Sequence, residues 1–406
     1  MERIILKAAC LLFFMVSFVA CEGLSSGEDS YGGIALTKSN ESVRDATNGF
    51  SLDLFRQVAD GNSNVFVSPM SLSMLNLMLA NGAEGDTYRE ILQPMGLGTR
   101  SLGEINDYYQ LMMRSLSRAD KSISLSLSNS LWTAKGVSVK SPYKRSLVNV
   151  YDADLFSVDF SSQASVDKIN QWSNRRTNGQ VPKLLDKVDG QTSMMLVNAL
   201  YFQGEWTHKF KEEASAQGSF ESLDGTSTQA IYMHQITNML NGYADEEVCV
   251  VRMPYGNGAF YMEAILPLTD YGNFIQTIDM EKLAKWGKDN TEYIDLKFPR
   301  MDFEFDSGDR LLTGALQALG MHLPFSAAAN FSGISDDPLS VSAICQKSRI
   351  NVDEGGTIAA VSGLAKLRGA PNLDPKITEM HFNRPFIFLI RESSTGCILF
   401  MGAKVR

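Results

Sequence analysis

The chain carries few of the side-chain constellations that perform catalysis. Its four histidines are scattered, with no H-E-x-x-H motif and no cysteine pair at zinc spacing, and we expect surface or packing roles for His208, His234, His322 and His381. A G-x-S-x-G match at residues 23–27 has no strand before it and no helix after it, as a nucleophile elbow requires. We therefore predict that the protein is not an enzyme and uses no metal or cofactor.

One connection between regular elements is unusually long. It begins after residue 354 as an uncharged run of small residues (GGTIAAVSG) and continues as a polar stretch to about His381. Loops of this length in a compact domain are usually functional or disordered. Thr357, Ala359, Val361 and Gly363 alternate, so they would share one face of a strand. The segment is either a flexible, protease-sensitive loop or a strand that could enter an existing sheet.

Apolar periodicity indicates the elements that must hold this loop. Spacings of three and four predict helices at residues 50–58, 70–80, 166–172 and 311–319. Alternating or continuous apolar runs predict strands at residues 123–127, 194–202 and 260–266, and a hairpin from 386–390 and 398–401. Helices and strands interleave without a regular βαβ rhythm, which favours an α+β fold.

Composition excludes several classes of protein. The 406 residues include 37 Lys and Arg against 46 Asp and Glu, a net charge of -9, which argues against nucleic-acid binding. A hydrophobic fraction of 44% excludes disorder of the whole chain. Five cysteines are too few for a disulfide scaffold of this length. We expect Cys249, Cys345 and Cys397 to be buried thiols that pack as small hydrophobes.

The N-terminus has the features of an export signal. Arg3 and Lys7 precede an apolar run at residues 8–20, too short to span a bilayer but typical of a secretory signal. The end of this run (FVAC) resembles a bacterial lipoprotein lipobox, with Phe18 in place of the usual Leu. That resemblance implies a lipidated Cys21 and an outer-membrane or cell-surface location. The alternative is a plain signal peptide cleaved near Ala20 and a periplasmic or secreted protein.

The remaining chain divides into two parts. Residues 21–42 are rich in small polar residues and are predicted to be a flexible tether. One domain is predicted from residue 43 to residue 406. The membrane is then contacted only through the lipid.

Six segments of this domain resemble one family in the same order along the chain. They are residues 64–69 (NVFVSP), 80–83 (ANGA), 177–181 (TNGQV), 198–206 (NALYFQGEW), 352–360 (VDEGGTIAA) and 382–386 (FNRPF). Together they identify a resemblance to the serpins, the serine protease inhibitors. The resemblance implies a single α+β domain with a large central β-sheet, surrounding helices and an exposed reactive loop at about residues 355–380.

The resemblance also implies a mechanism. A serpin monomer offers the loop as bait, and a target serine protease, trypsin-like or elastase-like, cleaves it and forms an acyl-enzyme. The loop then inserts as a new strand in the main sheet and the protease is trapped irreversibly. Two alternatives remain open: inhibition of papain-like cysteine proteases, and a non-inhibitory binding protein with the serpin fold.

Family roles carry over to matching residues. The hinge corresponds to Glu354, Gly355, Gly356, Thr357, Ile358, Ala359, Ala360 and Val361, with Thr357 the first side chain buried on insertion. The shutter, a hydrogen-bonded cluster under the sheet, corresponds to Ser68, Ser71, Asn198 and Gln346. Gln346 stands where many relatives have histidine. Because a glutamine side chain cannot be protonated to a cation, pH-gated opening is not expected there. Trp206 matches the breach, where insertion begins.

The scissile bond has several candidates. Counting from Glu354 at the family spacing places the cut after Ala370, but Pro371 follows and most serine proteases cleave poorly before proline. Arg368–Gly369 suits a trypsin-like protease, although it is two residues short. Gly369–Ala370 suits elastase-like proteases, and residues 366–367 (KL) are a further option. We place Arg368 first, with Gly369 and Ala370 next.

Overall fold

The structure is a computed structural model that describes residues 31–308, 310–357 and 376–406. The helices of these ranges are α1 (Lys38–Val58), α2 (Pro69–Ala80), α3 (Gly85–Leu92), α4 (Leu102–Leu116), α5 (Ser141–Tyr151), α6 (Gln163–Arg176), α7 (Tyr271–Thr277), α8 (Met280–Trp286) and α9 (Leu311–Ala318). No helix within the described ranges combines the length and apolarity needed to cross a membrane.

The strands of the described residues form three sheets. They are β1 (Val65–Val67), β2 (Ser124–Ala134), β3 (Asp154–Val158), β4 (Met194–Glu205), β5 (Ala216–Glu221), β6 (Ser227–Thr237), β7 (Asn241–Ala244), β8 (Val248–Tyr255), β9 (Phe260–Pro267), β10 (Tyr293–Pro299), β11 (Met301–Asp306), β12 (Val341–Val352), β13 (Gly356–Thr357), β14 (Ile377–His381), β15 (Phe386–Glu392) and β16 (Ile398–Lys404).

The main sheet is the sheet that β13, the start of the predicted loop, joins. Its strand order is β11-β12-β4-β2-β3, with β13 paired to β4. A second six-stranded sheet has the order β1-β16-β15-β9-β8-β7, and a four-stranded sheet has the order β14-β10-β6-β5. Strands and helices surround a common core, so the predicted single α+β domain is confirmed.

Helix α2 forms the centre of the core beneath the main sheet. The Ser68 hydroxyl accepts a hydrogen bond from the Ser71 main-chain N–H at 3.2 Å, and Pro69 occupies the first turn, where its missing N–H costs nothing. Every residue of the helix is buried. The helix packs against β2, β4 and β16. A helix with apolar residues on all sides is expected to be buried, and the helix that was predicted at residues 70–80 is buried in the structure.

Strand β4 is covered on both faces. The side chains that point to α2 join the large core: Met194, Leu196, Leu200 and Phe202. The alternate side chains Met195, Val197 and Ala199 belong to a smaller cluster with Ile169 and Trp172 of α6. This double burial explains the near-continuous apolar run from which the strand was predicted.

The N-terminal part of the domain begins earlier than the sequence predicted. Helix α1 starts at Lys38, so the predicted boundary at residue 43 falls inside a helix. The Tyr31 hydroxyl donates to Glu392 at 2.7 Å, and the Ile34 main-chain N–H donates to the Ser394 hydroxyl at 2.8 Å. Residues 31–42 are therefore part of the domain and not a free tether, because their apolar side chains pack against its core.

Two strands lie within the range that was predicted to be a long loop. Gly356 and Thr357 already form β13, and Ile377–His381 form β14, which pairs in parallel with β10. The polar appearance of residues 377–381 concealed this strand, in which Met380 is buried while Ile377 is exposed. Both ends of the predicted loop of residues 355–380 are thus strands, and residues 358–375 lie outside the described residues.

Candidate functional site

The main sheet is only partly closed between β4 and β12. Ladder pairs join the two parallel strands from Met194 with Val341 to Ala199 with Lys347. Beyond Ala199, the structure shows no further pair between these strands in the part of the chain it describes. At the far end β13 pairs antiparallel with β4 instead, Gly356 with Glu205 and Thr357 with Gly204. We call this region, where β13 lies beside the end of β4, the entry site.

Gly356 is required for the close approach of β13 to β4. Its φ is +141°, a conformation that residues with a side chain rarely adopt. A Cβ at this position would lie 2.3 Å from the Gly204 carbonyl oxygen and 2.6 Å from the Glu205 Cα. These are main-chain atoms, which cannot move aside. The glycine therefore fixes where the chain enters the sheet.

The segment that follows β4 anchors the turn before β13. The Trp206 main-chain N–H donates to the Gly355 carbonyl at 2.9 Å, and the Phe210 N–H donates to the Glu354 carbonyl at 3.0 Å. The Trp206 ring stacks on Tyr255, with centroids 4.3 Å apart. Trp206, assigned to the breach by resemblance, thus lies directly against the turn at the entry site.

Glu354 is held at the base of the turn by an ion pair in which its own carboxylate is buried. Its carboxylate receives three contacts of 2.7–3.0 Å from the Arg300 guanidinium and a hydrogen bond from the Ser215 hydroxyl. The residue is 5% exposed. Burial acts to raise the pKa of Glu354, but the hydrogen bonds from Arg300 and Ser215 outweigh it and keep the pKa below its ordinary value.

A polar cluster beneath the sheet links α2 to β12. The Gln346 side chain accepts from the Ser68 main-chain N–H at 2.7 Å and donates to the Ser68 carbonyl at 3.1 Å. The Ser68 hydroxyl donates to the Leu399 carbonyl of β16 at 2.7 Å. A two-ended amide can satisfy both main-chain groups at once without a charge. The structure thus brings Ser68, Ser71 and Gln346 of the predicted shutter together.

Asn198 lies in the same level of the sheet. Its register partners are Gln346 on β12 and Asn129 on β2, so three residues with amide side chains lie opposite one another on adjacent strands. The Asn198 side-chain amide donates to the Asn129 side-chain oxygen, and the Asn129 amide donates to the Tyr151 carbonyl at 3.2 Å. Sequence reasoning missed Asn129, although it interrupts the Ser/Leu alternation of its strand.

Two of the four histidines share a carboxylate, and the three cysteines of the domain are enclosed. His234 and His381 flank one carboxylate, with Nε2 atoms 2.8 Å and 3.6 Å from Asp295 Oδ1. No group of three His, Cys, Asp or Glu side chains in the described ranges could hold a metal ion. The three predicted buried cysteines are buried. Burial raises the pKa of the Cys397 thiol to about 11, which keeps it protonated.

Comparison with known proteins gives the family. The model of the family described as "Serpin (serine protease inhibitor)" matches residues 45–406. The chain belongs to the serpin family. Human leukocyte elastase inhibitor is 31% identical over 380 residues, which cover 89% of this chain and 98% of that protein. Iripin-2 of Ixodes ricinus is 30% identical over 368 residues, covering 88% of this chain and 91% of that serpin.

Solved structures show the same fold. The native thermophilic serpin tengpin is 25% identical with a TM-score of 0.83, over 92% of this chain and 95% of that one. Human thyroxine-binding globulin complexed with thyroxine is 27% identical with a TM-score of 0.82, over 91% of this chain and 99% of that one. Serpins are protease inhibitors and not enzymes in general, and this family includes members whose names describe binding instead.

Several predicted site residues lie outside the described residues. They are the hinge residues Ile358, Ala359, Ala360 and Val361, the scissile-bond candidates Arg368, Gly369 and Ala370, and the lipidation candidate Cys21. The other hinge residues, Glu354 to Thr357, form the turn and β13.

Proposed function

We propose that this serpin is an irreversible inhibitor of serine endopeptidases that acts as a monomer and traps the acyl-enzyme by inserting residues 358–367 into the main sheet. The observation that supports this most is the register of β13. It is antiparallel to β4 and already lies beside the strand against which the cleaved loop would pair.

Continuing this register predicts which loop residues would face the core. Ala359 would lie opposite Phe202, and Val361 opposite Leu200. Both β4 residues point toward α2 in the large core. Cross-strand partners share one face of a sheet, so the inserted Ala359 and Val361 would be buried there.

The lower half of the loop satisfies the same requirement. The continued register brings residues 363, 365 and 367, which are Gly, Ala and Leu, onto the core side opposite Asn198, Leu196 and Met194. Lys366 falls on the other face. All core-facing positions of the inserted strand would therefore be small or apolar, and no charge would be buried in the large core.

The length of the loop fits the length of the sheet. Residue 367 would reach Met194, the first residue of β4, so Arg368 would lie just past the end of the strand. A protease acylated at Arg368 would be carried on the order of 40 Å, since each strand residue advances about 3.3 Å. Distortion of the protease at the far end of the sheet would then prevent hydrolysis of the ester.

Energetics favour insertion once the loop is cut. The positions opposite residues 200–203 of β4 can be filled without breaking any described pair with β12. Insertion of the remaining residues must separate the pairs that join β4 to β12 from Ala199 to Met194. Each of these pairs is replaced by two, one from the new strand to β4 and one from the new strand to β12. Each net ladder hydrogen bond contributes about 1 kcal/mol.

Two adjacent substitutions test the proposal. Ala359→Arg would place a charge in the large core on insertion, whereas Ile358→Arg would place it opposite the half-buried Gln203 on the other face. We expect Ala359→Arg to slow insertion by about 10²-fold, because an unpaired buried charge costs several kcal/mol. That variant should be cleaved as a substrate, while Ile358→Arg still forms complex.

The readout is the ratio of SDS-resistant complex to cleaved serpin with trypsin, pancreatic elastase and papain as probes. Equal trapping by both variants would contradict insertion in this register. If the wild-type protein forms no complex with any probe, it is a non-inhibitory binding protein of the serpin fold. Trapping of papain alone would identify cysteine proteases as its targets.

We also propose that the protein is exported and attached to a membrane through Cys21. The signal-like run at residues 8–20 and the cysteine that follows it support this. Tyr31 is fixed to the domain through Glu392. Only nine residues, 22–30, separate Cys21 from Tyr31, so the two lie at most about 36 Å apart. The inhibitor would act close to the lipid surface.

A further inference from the structure

The chain reverses direction between β12 and β13 in a four-residue turn. The Asp353 main-chain N–H donates to the Gly356 carbonyl at 2.8 Å, and the Gly356 N–H approaches the Asp353 carbonyl at 3.2 Å. Asp353 and Gly356 are thus antiparallel bridge partners. The turn connecting β12 to an inserted strand is therefore already present before any cleavage.

The Asp353 carboxylate holds this turn from inside. Its Oδ1 accepts from the Gly355 N–H at 2.9 Å and from the Gly356 N–H at 3.2 Å. Aspartate at the first position of a turn commonly accepts hydrogen bonds from main-chain N–H groups that follow it. Burial raises the pKa of Asp353, and these two N–H groups oppose the rise.

The carbonyl of the same residue is fixed from the other side. The Trp206 Nε1–H donates to the Asp353 carbonyl at 2.9 Å. The Arg300 guanidinium is hydrogen-bonded to the neighbouring Glu354, and Asp353 Oδ1 has the turn N–H groups as its hydrogen-bond partners. Asp353 therefore contacts both the β4 side and the β13 side of the entry site.

We propose that Asp353 is a positioning residue for loop insertion: by holding the turn in hairpin geometry, it makes the released loop enter the sheet as a continuation of β13. This inference rests on the proposed function. Forming the first turn and its register is the slow part of strand addition, because chain entropy is lost before ladder hydrogen bonds form. A turn that is formed before cleavage makes insertion faster relative to hydrolysis of the acyl-enzyme ester.

Removing the acceptor should therefore change the outcome of the reaction more than the stability of the protein. Asp353→Ala removes the two hydrogen bonds that the side chain accepts from the turn. We expect the ratio of trapped to hydrolysed acyl-enzyme to fall about tenfold. Asp353→Asn keeps a side-chain oxygen in the same place and should restore most of this ratio. Asp302→Ala, which removes a carboxylate on β11 that accepts hydrogen bonds from Arg349 and not from the turn, is the matched control.

The experiment measures three quantities for each variant with trypsin or elastase, whichever cleaves the wild-type loop. They are the rate of loop cleavage, the ratio of complex to cleaved serpin, and the thermal unfolding midpoint before and after cleavage. We expect Asp353→Ala to be cleaved at the wild-type rate with a reduced complex ratio. A purely structural role would instead lower the midpoint of the uncleaved protein and would leave the ratio unchanged.

The failure of this inference differs from failure of the proposed function. If cleavage of the wild-type loop does not raise the unfolding midpoint, insertion does not occur and both ideas are wrong. If the wild type inserts and traps, but Asp353→Ala partitions like it, the role of Asp353 alone is refuted. An Asp353→Asn variant as impaired as Asp353→Ala would also refute it, since the argument depends on the oxygen and not on the charge.

Discussion

The ion pair of Glu354 with Arg300 allows a quantitative test of how the base of the turn is held. The three contacts of 2.7–3.0 Å involve both carboxylate oxygens. Glu354 is 5% exposed, but the Arg300 side chain is 41% exposed. Exposed pairs contribute about 0–1 kcal/mol, whereas breaking a buried pair costs about 3–5 kcal/mol. With one partner screened by solvent, Glu354→Gln should lower the free energy of unfolding by about 2 kcal/mol at neutral pH.

The assay is guanidinium unfolding of the uncleaved protein as a function of pH. The folded-state pKa of Glu354 lies below its ordinary value of 4.5, so the contribution is complete above that pH. It is lost as pH falls through the folded-state pKa, because the carboxylate then binds a proton in both states. The difference between wild type and Glu354→Gln should therefore shrink below about pH 4.5.

A control pair with similar contacts isolates the effect of burial. Arg349 contacts Asp302 at 3.0–3.1 Å on the neighbouring strands, but the Asp302 side chain is 53% exposed. Asp302→Asn should cost less than about 1 kcal/mol. If Asp302→Asn and Glu354→Gln destabilise the protein equally, or if the Glu354→Gln difference persists in acid, the reasoning from burial is wrong.

Three further outcomes are expected. Gln346→Ala leaves the buried main-chain N–H of Ser68 unpaired and removes one of the two hydrogen bonds to the Ser68 carbonyl, which still accepts from the Leu72 N–H. It should lower the free energy of unfolding by about 2 kcal/mol, measured by the guanidinium midpoint, and an unchanged midpoint would show that the cluster does not stabilise the fold. Arg368→Ala should abolish the trapping of trypsin but spare that of elastase, and unchanged inhibition of trypsin would place the scissile bond elsewhere. Cys21→Ala should move the protein from the detergent phase to the aqueous phase, and a wild-type protein found wholly in the aqueous phase would contradict lipidation.

The elements that sequence predicted best are those with strong local patterns. Helix α2 has a proline at its start and an apolar residue at most positions, and β4 is an almost unbroken apolar run. Both were expected within a few residues of their bounds. The start of helix α1 was predicted too far along the chain, because its first turns at residues 38–44 are polar and show no apolar periodicity.

The entry site was only partly predictable. The family resemblance indicated Trp206, Gly356 and Thr357, but their mutual placement depends on the register of β13 with β4, which no local pattern contains. Partners that come from distant segments were missed for the same reason. Arg300 and Ser215 meet Glu354 only after three segments that are distant in the sequence are assembled.

The position of β16 has a consequence for how the chain is made. This strand lies between β1 and β15, and the Ser68 hydroxyl that caps α2 donates to a β16 carbonyl 331 residues later. The core therefore cannot close during synthesis until β16 has emerged, and such non-local pairing is slow. A nascent chain of this kind stays open for a long time, which exposes apolar strands to aggregation and makes holding chaperones valuable.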